Sequence, residues 1–166
     1  MRPRSCRYAI SVVVLMVGAA AAPTAGASSA TDACSLLTQA QLSAALAVPM
    51  DAGKYVTPGF LKTCTWAPSN GPTPGVKFFT LYLQSVEGFE GGKSLGQMGQ
   101  GNGAAVVTPL SGVGDDAYYL SFGSNITSLM VKKRAGAFKL TLYGATAPDK
   151  AMAMEKTLAL LVAPQL

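Results

Sequence analysis

Apolar residues near position 40 recur with the spacing of a helix. The segment Thr38 to Gln41 matches a capping box, in which the threonine oxygen accepts from the glutamine N–H and the glutamine side chain bonds back. Pro49 follows as a residue that cannot continue the helix. We therefore predict a first helix from Gln39 to Val48. Its apolar face consists of Leu42, Ala45 and Leu46.

Beyond residue 60 the apolar positions follow the two-residue period of strands. Cys64 and Trp66 fall on one side of a short strand that begins near Leu61. The strongest strand is predicted over Val76 to Ser85, whose large apolar groups on both faces indicate a central strand covered on both sides, at least in part. Four more strands are predicted over Ala104 to Leu110, Ala117 to Phe122, Ile126 to Lys133 and Ala137 to Tyr143.

Glycines interrupt the pattern between these strands. Residues 88–103 contain seven glycines, and each glycine inside a helix costs about 1 kcal/mol relative to alanine. We therefore expect a frayed helix or a mobile loop between Val86 and Met98. The dipeptide Ala135-Gly136 predicts a tight hairpin turn between the last two strands.

The C-terminal residues predict a closing helix from Pro148 to Val162, because proline followed by aspartate is typical of a first helical turn. Helices on either side of a run of strands indicate an α+β fold. We predict a single antiparallel sheet of about five to six strands packed against N- and C-terminal helices. The apolar positions of the closing helix are Met152, Leu158, Leu161 and Val162.

Residues 1–27 have the composition of a secretory signal peptide. Three arginines are followed by an uncharged run of 15 residues from Tyr8 to Ala22 and by an A-x-A cleavage pattern that ends at Ala27. A membrane span needs roughly 20 residues, so cleavage is favoured over a retained anchor. We predict a secreted or periplasmic protein, exported through the general secretory route, with a signal peptide at 1–27 and a single domain at 28–166.

The charge of the chain lies partly in this leader. The formal net charge of +5 falls to +2 without the three leader arginines. The densest basic cluster, Lys132-Lys133-Arg134, is typical of a solvated strand end rather than a nucleic-acid surface. We expect no nucleic-acid partner and no stable membrane span after cleavage.

Cleavage also removes Cys6 and leaves Cys34 and Cys64. An even pair of cysteines in an oxidising compartment predicts one disulfide. A lipid-modified Cys34 is the alternative, but the residues before it, Thr31-Asp32-Ala33, lack the apolar and small pattern of a lipobox.

The chain contains no histidine. Ser-His-Asp triads, Cys-His nucleophiles and His-ligated zinc are therefore excluded within this chain. The pattern G-x-S-x-G occurs at Gly92 to Gly96, but no histidine could activate Ser94. The overlapping segment Gly88 to Ser94 resembles a phosphate loop with one residue too few. We predict no catalytic residue, no metal site and no cofactor, and we expect a protein that is not an enzyme.

The sharpest local pattern is Asp115-Asp116 within residues 112–119. Neighbours on an extended chain point to opposite sides, so the two carboxylates make a poor catalytic pair. Glycines before them permit a turn with positive φ, in which an aspartate accepts backbone N–H bonds. Aromatic residues on strands most often belong to the core, although they can also line a pocket. The candidate binding residues are Trp66, Asp115, Asp116, Tyr118 and Tyr119.

Several short motifs occur in a fixed order along the chain: residues 32–38 (DACSLLT), residues 64–66 (CTW) and residues 112–119 (GVGDDAYY), followed by a basic hairpin strand and a C-terminal helix. With these motifs the chain resembles the small exported domains grouped around the DUF3558-type lipoproteins, and it is similar to the extracellular sensor domains of some actinobacterial receptor kinases. The resemblance implies a compact α+β envelope domain with one disulfide and no established catalytic residues.

Three functions are consistent with these features. The first is an exported, non-catalytic module that binds a small ligand or an envelope protein through residues 88–103 and 112–119, because long polar loops concentrate binding residues. The second is a proteinaceous inhibitor of an exported enzyme. The third is a histidine-free hydrolase or transferase that uses Asp115, Asp116, Lys93 or Ser94.

Overall fold

A computed structural model describes residues 32–101, 103–123, 126–144 and 147–166. The predicted signal peptide lies outside these residues. One antiparallel sheet carries helices on both faces, so the α+β prediction is confirmed. The strands are β1 (Lys54–Tyr55), β2 (Thr63–Trp66), β3 (Phe78–Gln84), β4 (Val106–Leu110), β5 (Asp116–Phe122), β6 (Ile126–Lys133) and β7 (Gly136–Tyr143); the helices are α1 (Gln39–Leu46), α2 (Val86–Gln100) and α3 (Pro148–Val162).

The sheet has seven strands in the order β1-β2-β3-β7-β6-β5-β4. The strand missed in the sequence is β1, which has two residues and is too short to show a period. Strand β3 lies inside the sheet as predicted, but only Phe79, Leu81 and Leu83 on one of its faces are buried. The prediction that both faces of β3 are covered at least in part is therefore only partly correct.

Helices α1 and α3 cover one face of the sheet. The capping box is present, since Thr38 Oγ1 accepts from Gln41 N at 3.2 Å and Gln41 Oε1 accepts from Thr38 N at 2.8 Å. Helix α1 ends at Leu46 rather than Val48, because Ala47 adopts a left-handed conformation with φ 55°. The bounds predicted for α3 are confirmed, although Leu161 is exposed rather than on its apolar face.

A carboxyl group is fully buried beneath this face. Glu155 of α3 is 0% exposed, and its Oε1 accepts from the backbone N–H of Leu142 at 2.9 Å. The pairing of β7 with β6 ends at Thr141 and Ser128, one residue before Leu142. The Glu155 carboxyl therefore accepts from Leu142 N in place of a residue of β6. Burial raises the pKa of Glu155 to about 9, and the group is protonated at neutral pH.

Helix α2 covers the other face of the sheet. Of the two alternatives expected between Val86 and Met98, a frayed helix or a mobile loop, the structure has a helix, and it spans Val86–Gln100. Its glycines allow close approach: a Cβ on Gly96 would lie 2.6 Å from Val107 Cγ2, and one on Gly92 would lie 2.9 Å from the Tyr118 hydroxyl. The packing against the sheet thus offsets the low helix propensity of glycine. Ser85 begins the helix by accepting from Gly88 N at 3.2 Å.

The hairpin between β6 and β7 is shifted by one residue from its predicted position. Lys133 pairs with Gly136, so the two loop residues are Arg134 and Ala135 rather than Ala135 and Gly136. Arg134 has φ 53°, the left-handed conformation that the turn requires at its first position. The Asp115 carboxylate accepts from Arg134 N at 2.6 Å and holds this turn.

Helix α2 covers only part of its face. The buried cluster beneath it draws on β4, β5, β6 and the start of β7. The same face of β1, β2, β3 and the second half of β7 carries side chains that are half-buried or exposed, apart from the buried hydroxyl of Thr141. The fold therefore leaves half of one sheet face open.

Candidate functional site

The open half of the sheet contains a groove of about 480 Å³. Its floor is formed by β2 and β3, and the segment that contains β1 forms one wall. This volume falls in the range of small-molecule sites in proteins. The lining is mostly apolar, with one acid and one base, and consists of Asp51, Ala52, Lys54, Tyr55, Val56, Thr65, Ala67, Phe78 and Thr80.

The strand register arranges the open face in rows. In the first row, Phe78 of β3 stacks on Tyr143 of β7, with ring centroids 4.2 Å apart. The next row contains hydroxyl groups, because Thr80 pairs with Thr65 on one side and with Thr141 on the other. An apolar row thus runs beside a polar row along the floor.

The third row holds a tyrosine and a lysine. Tyr82 pairs with Lys139 across β3 and β7, and the Lys139 ammonium lies 5.8 Å from the centroid of the Tyr82 ring. This contact is a cation–π interaction, which keeps the ammonium on the open face. The charge therefore borders the polar row and not the apolar row.

The wall of the groove packs against the disulfide. Cys34 and Cys64 form the predicted bond, with Cα atoms 5.0 Å apart. Cys64 also pairs with Tyr55 of β1. A Cβ on Gly53 would lie 2.7 Å from Cys64 Sγ and 2.6 Å from Trp66 Nε1, so only glycine lets the wall lie this close to the disulfide.

A second link joins the wall to the N-terminal segment. The Tyr55 hydroxyl lies 2.9 Å from each carboxylate oxygen of Asp32, to which it donates. Asp32 also accepts from Cys34 N at 2.9 Å. The carboxylate raises the pKa of Tyr55, because it accepts a hydrogen bond from the neutral phenol and would repel a phenolate.

The three aromatic residues predicted as candidate binding residues have their side chains in the core. Trp66 is 1% exposed and packs against Phe79, and Tyr118 is 0% exposed. The Tyr118 hydroxyl donates to Phe89 O at 2.9 Å, while the Tyr119 hydroxyl donates to Met152 O at 2.6 Å on the other face. Burial raises the pKa of both phenols to about 12. These tyrosines connect β5 to the helices on its two faces.

The two aspartates pair with different lysines and do not form a carboxylate pair. Asp115 pairs with Lys133 at 2.6 Å, and the hydrogen bonds from Lys133 and Arg134 hold the pKa of its carboxyl below the usual value. Asp116 pairs with Lys93 at 2.8 Å. Gly112 and Gly114 have φ 82° and 63°, which confirms the predicted turn. None of these groups lines the groove.

The glycine-rich motifs do not form loops. Ser94 lies on the exposed side of α2, and Gly88 to Ser94 are helical residues, so neither a nucleophile elbow nor a phosphate loop is present there. Across residues 32–101, 103–123, 126–144 and 147–166, no three His, Cys, Asp or Glu side chains are grouped as a metal site would require.

None of the residues that line the groove was among the candidate binding residues, although Tyr55 and Phe78 belong to the aromatic residues that can line a pocket. The lining residues come from three strands and a connecting segment, and each belongs to an unremarkable local pattern. The only available signal was that Val76 to Ser85 carries large apolar groups on both faces, which indicated that something covers the second face.

A smaller cavity of about 360 Å³ lies between α1 and the start of α3 and is lined in part by Lys150.

No family profile, curated protein or solved structure matches this chain. The similarity to DUF3558-type domains therefore remains a prediction. In the part of the chain that the structure describes, no helix is long and apolar enough to cross a membrane.

Proposed function

We propose that this protein is an exported, non-catalytic binding module that takes the apolar part of a small molecule into the groove between β1 and β3. One observation carries the proposal: helix α2 leaves half of a sheet face open, and that half contains a concave groove whose surface is mostly apolar. A concave, mostly apolar site with a few polar groups is the usual form of a ligand site.

The construction of the wall supports the same function. The disulfide, the Tyr55–Asp32 hydrogen bond and the absence of a side chain at Gly53 all fix one short segment beside the groove. A preformed wall lowers the entropy cost of binding a ligand. A disulfide is also the kind of cross-link that persists in oxidising compartments, which supports export.

A titration with the neutral dye Nile red tests this proposal. The purified protein should bind the dye saturably, with an increase in emission. Ala52→Trp, at an exposed position on the groove, should weaken binding by at least about tenfold, or 1.4 kcal/mol. Ala153→Trp, on the exposed side of α3, is the matched control and should bind like the parent.

Melting temperatures of both tryptophan variants establish that they are folded. An absence of saturable binding, or equal binding by the Ala52→Trp and Ala153→Trp proteins, would contradict the proposal.

An inhibitor or other protein-binding role is the second candidate. The segment beside the groove exposes Val56 (62%), Phe60 (43%) and Leu61 (42%), and exposed apolar side chains close together mark protein interfaces. A Val56→Asp/Leu61→Asp protein would then lose a partner captured from the culture supernatant of the native host. Capture by this variant as efficient as by the parent would contradict this second candidate.

A further inference from the structure

The open face carries two lysines that have no carboxylate partner. Within the described parts of the chain, the ion pairs are Lys93–Asp116, Lys132–Glu90 and Lys133–Asp115. All three lie between α2, β5 and the β6–β7 hairpin. Lys54 and Lys139 take part in none of them.

The register places Lys54 and Lys139 on the same face of the sheet. Lys54 pairs with Thr65, which pairs with Thr80, and Thr80 pairs with Thr141, two residues from Lys139. Three strand spacings separate β1 from β7, about 14 Å. A group above Thr80 on β3 is therefore within reach of both flexible lysine side chains.

Polar groups between the two lysines are also free to bind. The hydroxyls of Thr65 and Thr80 make no hydrogen bond to another described residue, whereas Thr141 and Ser128 satisfy each other at 2.8 Å. Asp51, the one acid that lines the groove, lies beside Ala67 in the row of Phe78, which is one row from Thr80 and two rows from Lys139. The two lysines and the free hydroxyls thus occupy rows of the sheet that do not contain the acid.

The apolar row continues past the groove on the other side. Ile126 and Phe122 pair with each other, are 41% and 55% exposed, and lie on the same face as Tyr143. Ile126 lies two residues before Ser128 on β6, as Tyr143 lies two residues after Thr141 on β7. An apolar strip therefore extends from Phe78 towards β5, parallel to the row that carries the lysines.

We propose that the open face binds an anionic amphiphile, that is, a molecule with one acidic head and one extended apolar chain. The acidic head lies above Thr80 between Lys54 and Lys139. The chain begins against Phe78 inside the groove and extends from there along the strip over Tyr143, Ile126 and Phe122. This inference rests on the proposed function, because it places the head and chain of the ligand relative to the same groove.

Three probes with the same chain and different heads test the inference: dodecanoate, dodecanol and dodecyltrimethylammonium, each below its micelle concentration, in displacement of Nile red. Dodecanoate should bind at least about tenfold more tightly than either other probe. The Lys54→Met/Lys139→Met protein should lose this preference while still binding dodecanol. Lys156→Met, at an exposed position of α3, should keep the preference.

The outcomes separate the two proposals. Equal affinity for the three heads, or a preference for dodecanoate that survives in the Lys54→Met/Lys139→Met protein, would overturn the anionic head and leave the groove as a neutral apolar site. No displacement of Nile red by any probe would overturn the extended apolar ligand itself. Absence of Nile red binding from the start would overturn the proposed function.

Discussion

The Tyr55 hydroxyl donates to the carboxylate of Asp32, 23 residues earlier in the chain, at 2.9 Å. Through this bond an exposed two-residue strand is linked to the segment that carries Cys34. Tyr55→Phe removes the bond and leaves the ring, so we expect the groove wall to loosen and Nile red to bind about threefold more weakly, with little change in melting temperature.

Ser35→Ala is the control for this substitution. It removes another exposed hydrogen bond to Asp32, from Ser35 Oγ to the backbone oxygen at 2.8 Å, without touching the wall. Equal dye affinity in the Tyr55→Phe protein and the parent would show that the bond does not shape the groove.

Reduction of the Cys34–Cys64 bond should both destabilise the protein and weaken ligand binding. The bond closes a loop across a sequence separation of 30 residues, for which the chain-entropy relation gives about 3 to 4 kcal/mol. Urea unfolding with and without a reductant measures the change. The Cys34→Ala/Cys64→Ala protein should show the lower stability in both conditions, and a parent insensitive to reductant would contradict the account.

Two glycines of the same helix should respond in opposite ways to alanine. Gly91 has no atom within 4 Å of an added Cβ, so Gly91→Ala should stabilise the protein by up to about 1 kcal/mol through helix propensity. At Gly96 the added Cβ would lie 2.6 Å from Val107 and 2.7 Å from Leu120. Gly96→Ala should therefore destabilise by about 1 to 3 kcal/mol.

Urea unfolding of these two variants gives both values directly. Stabilisation by Gly96→Ala comparable to that by Gly91→Ala would mean that α2 does not approach the sheet as closely as described.

The buried Glu155 carboxyl should make the free energy of unfolding depend on pH. Below the unfolded pKa of 4.5 the group is protonated in both states and contributes no slope. Between 4.5 and the folded pKa of about 9 the unfolded chain releases a proton that the folded protein retains. Stability should therefore fall as pH rises through this window, by on the order of 1 kcal/mol per pH unit.

Glu155→Gln keeps an oxygen for Leu142 N and cannot ionise, so its stability should change much less between about pH 5 and pH 8. Glu87→Gln, at an exposed carboxyl on α2, should retain the slope of the parent over the same range. A slope unchanged by Glu155→Gln would assign the pH dependence to another group.

Local chemistry explains which elements were predictable from the sequence. The capping box at Thr38 and the proline at the start of α3 each depend on a few neighbouring residues, and the disulfide was predicted from an even pair of cysteines; all three are present. The sequence did not decide between a helix and a loop for α2, because the close approach of Gly92 and Gly96 to distant strands, which offsets the low helix propensity of glycine, is not visible in the local pattern.

The groove could not be predicted from the sequence, because it also depends on contacts between distant parts of the chain. It exists because α2 covers β4 to β6 and leaves β2 and β3 open, and no local pattern encodes which half of a sheet a helix covers. Trp66 and Tyr118 were predicted as candidate binding residues because aromatic side chains can line a pocket. Both side chains lie in the core instead. The alternating strand pattern is the same whether an aromatic side chain packs in the core or lines a pocket, so the sequence does not distinguish the two places.

An NMR titration of the ¹⁵N-labelled protein with dodecanol locates the bound ligand on the chain and so shows whether it occupies the open half of the sheet. We predict saturable shifts in the amides of β1, β2, β3 and the second half of β7, with Lys54, Thr65, Phe78 and Thr80 among the most affected, and shifts of Phe122 and Ile126 where the dodecyl chain extends along the strip. Shifts confined to α1 and α3, or to the cavity beside Lys150, would contradict a binding site on the open half of the sheet.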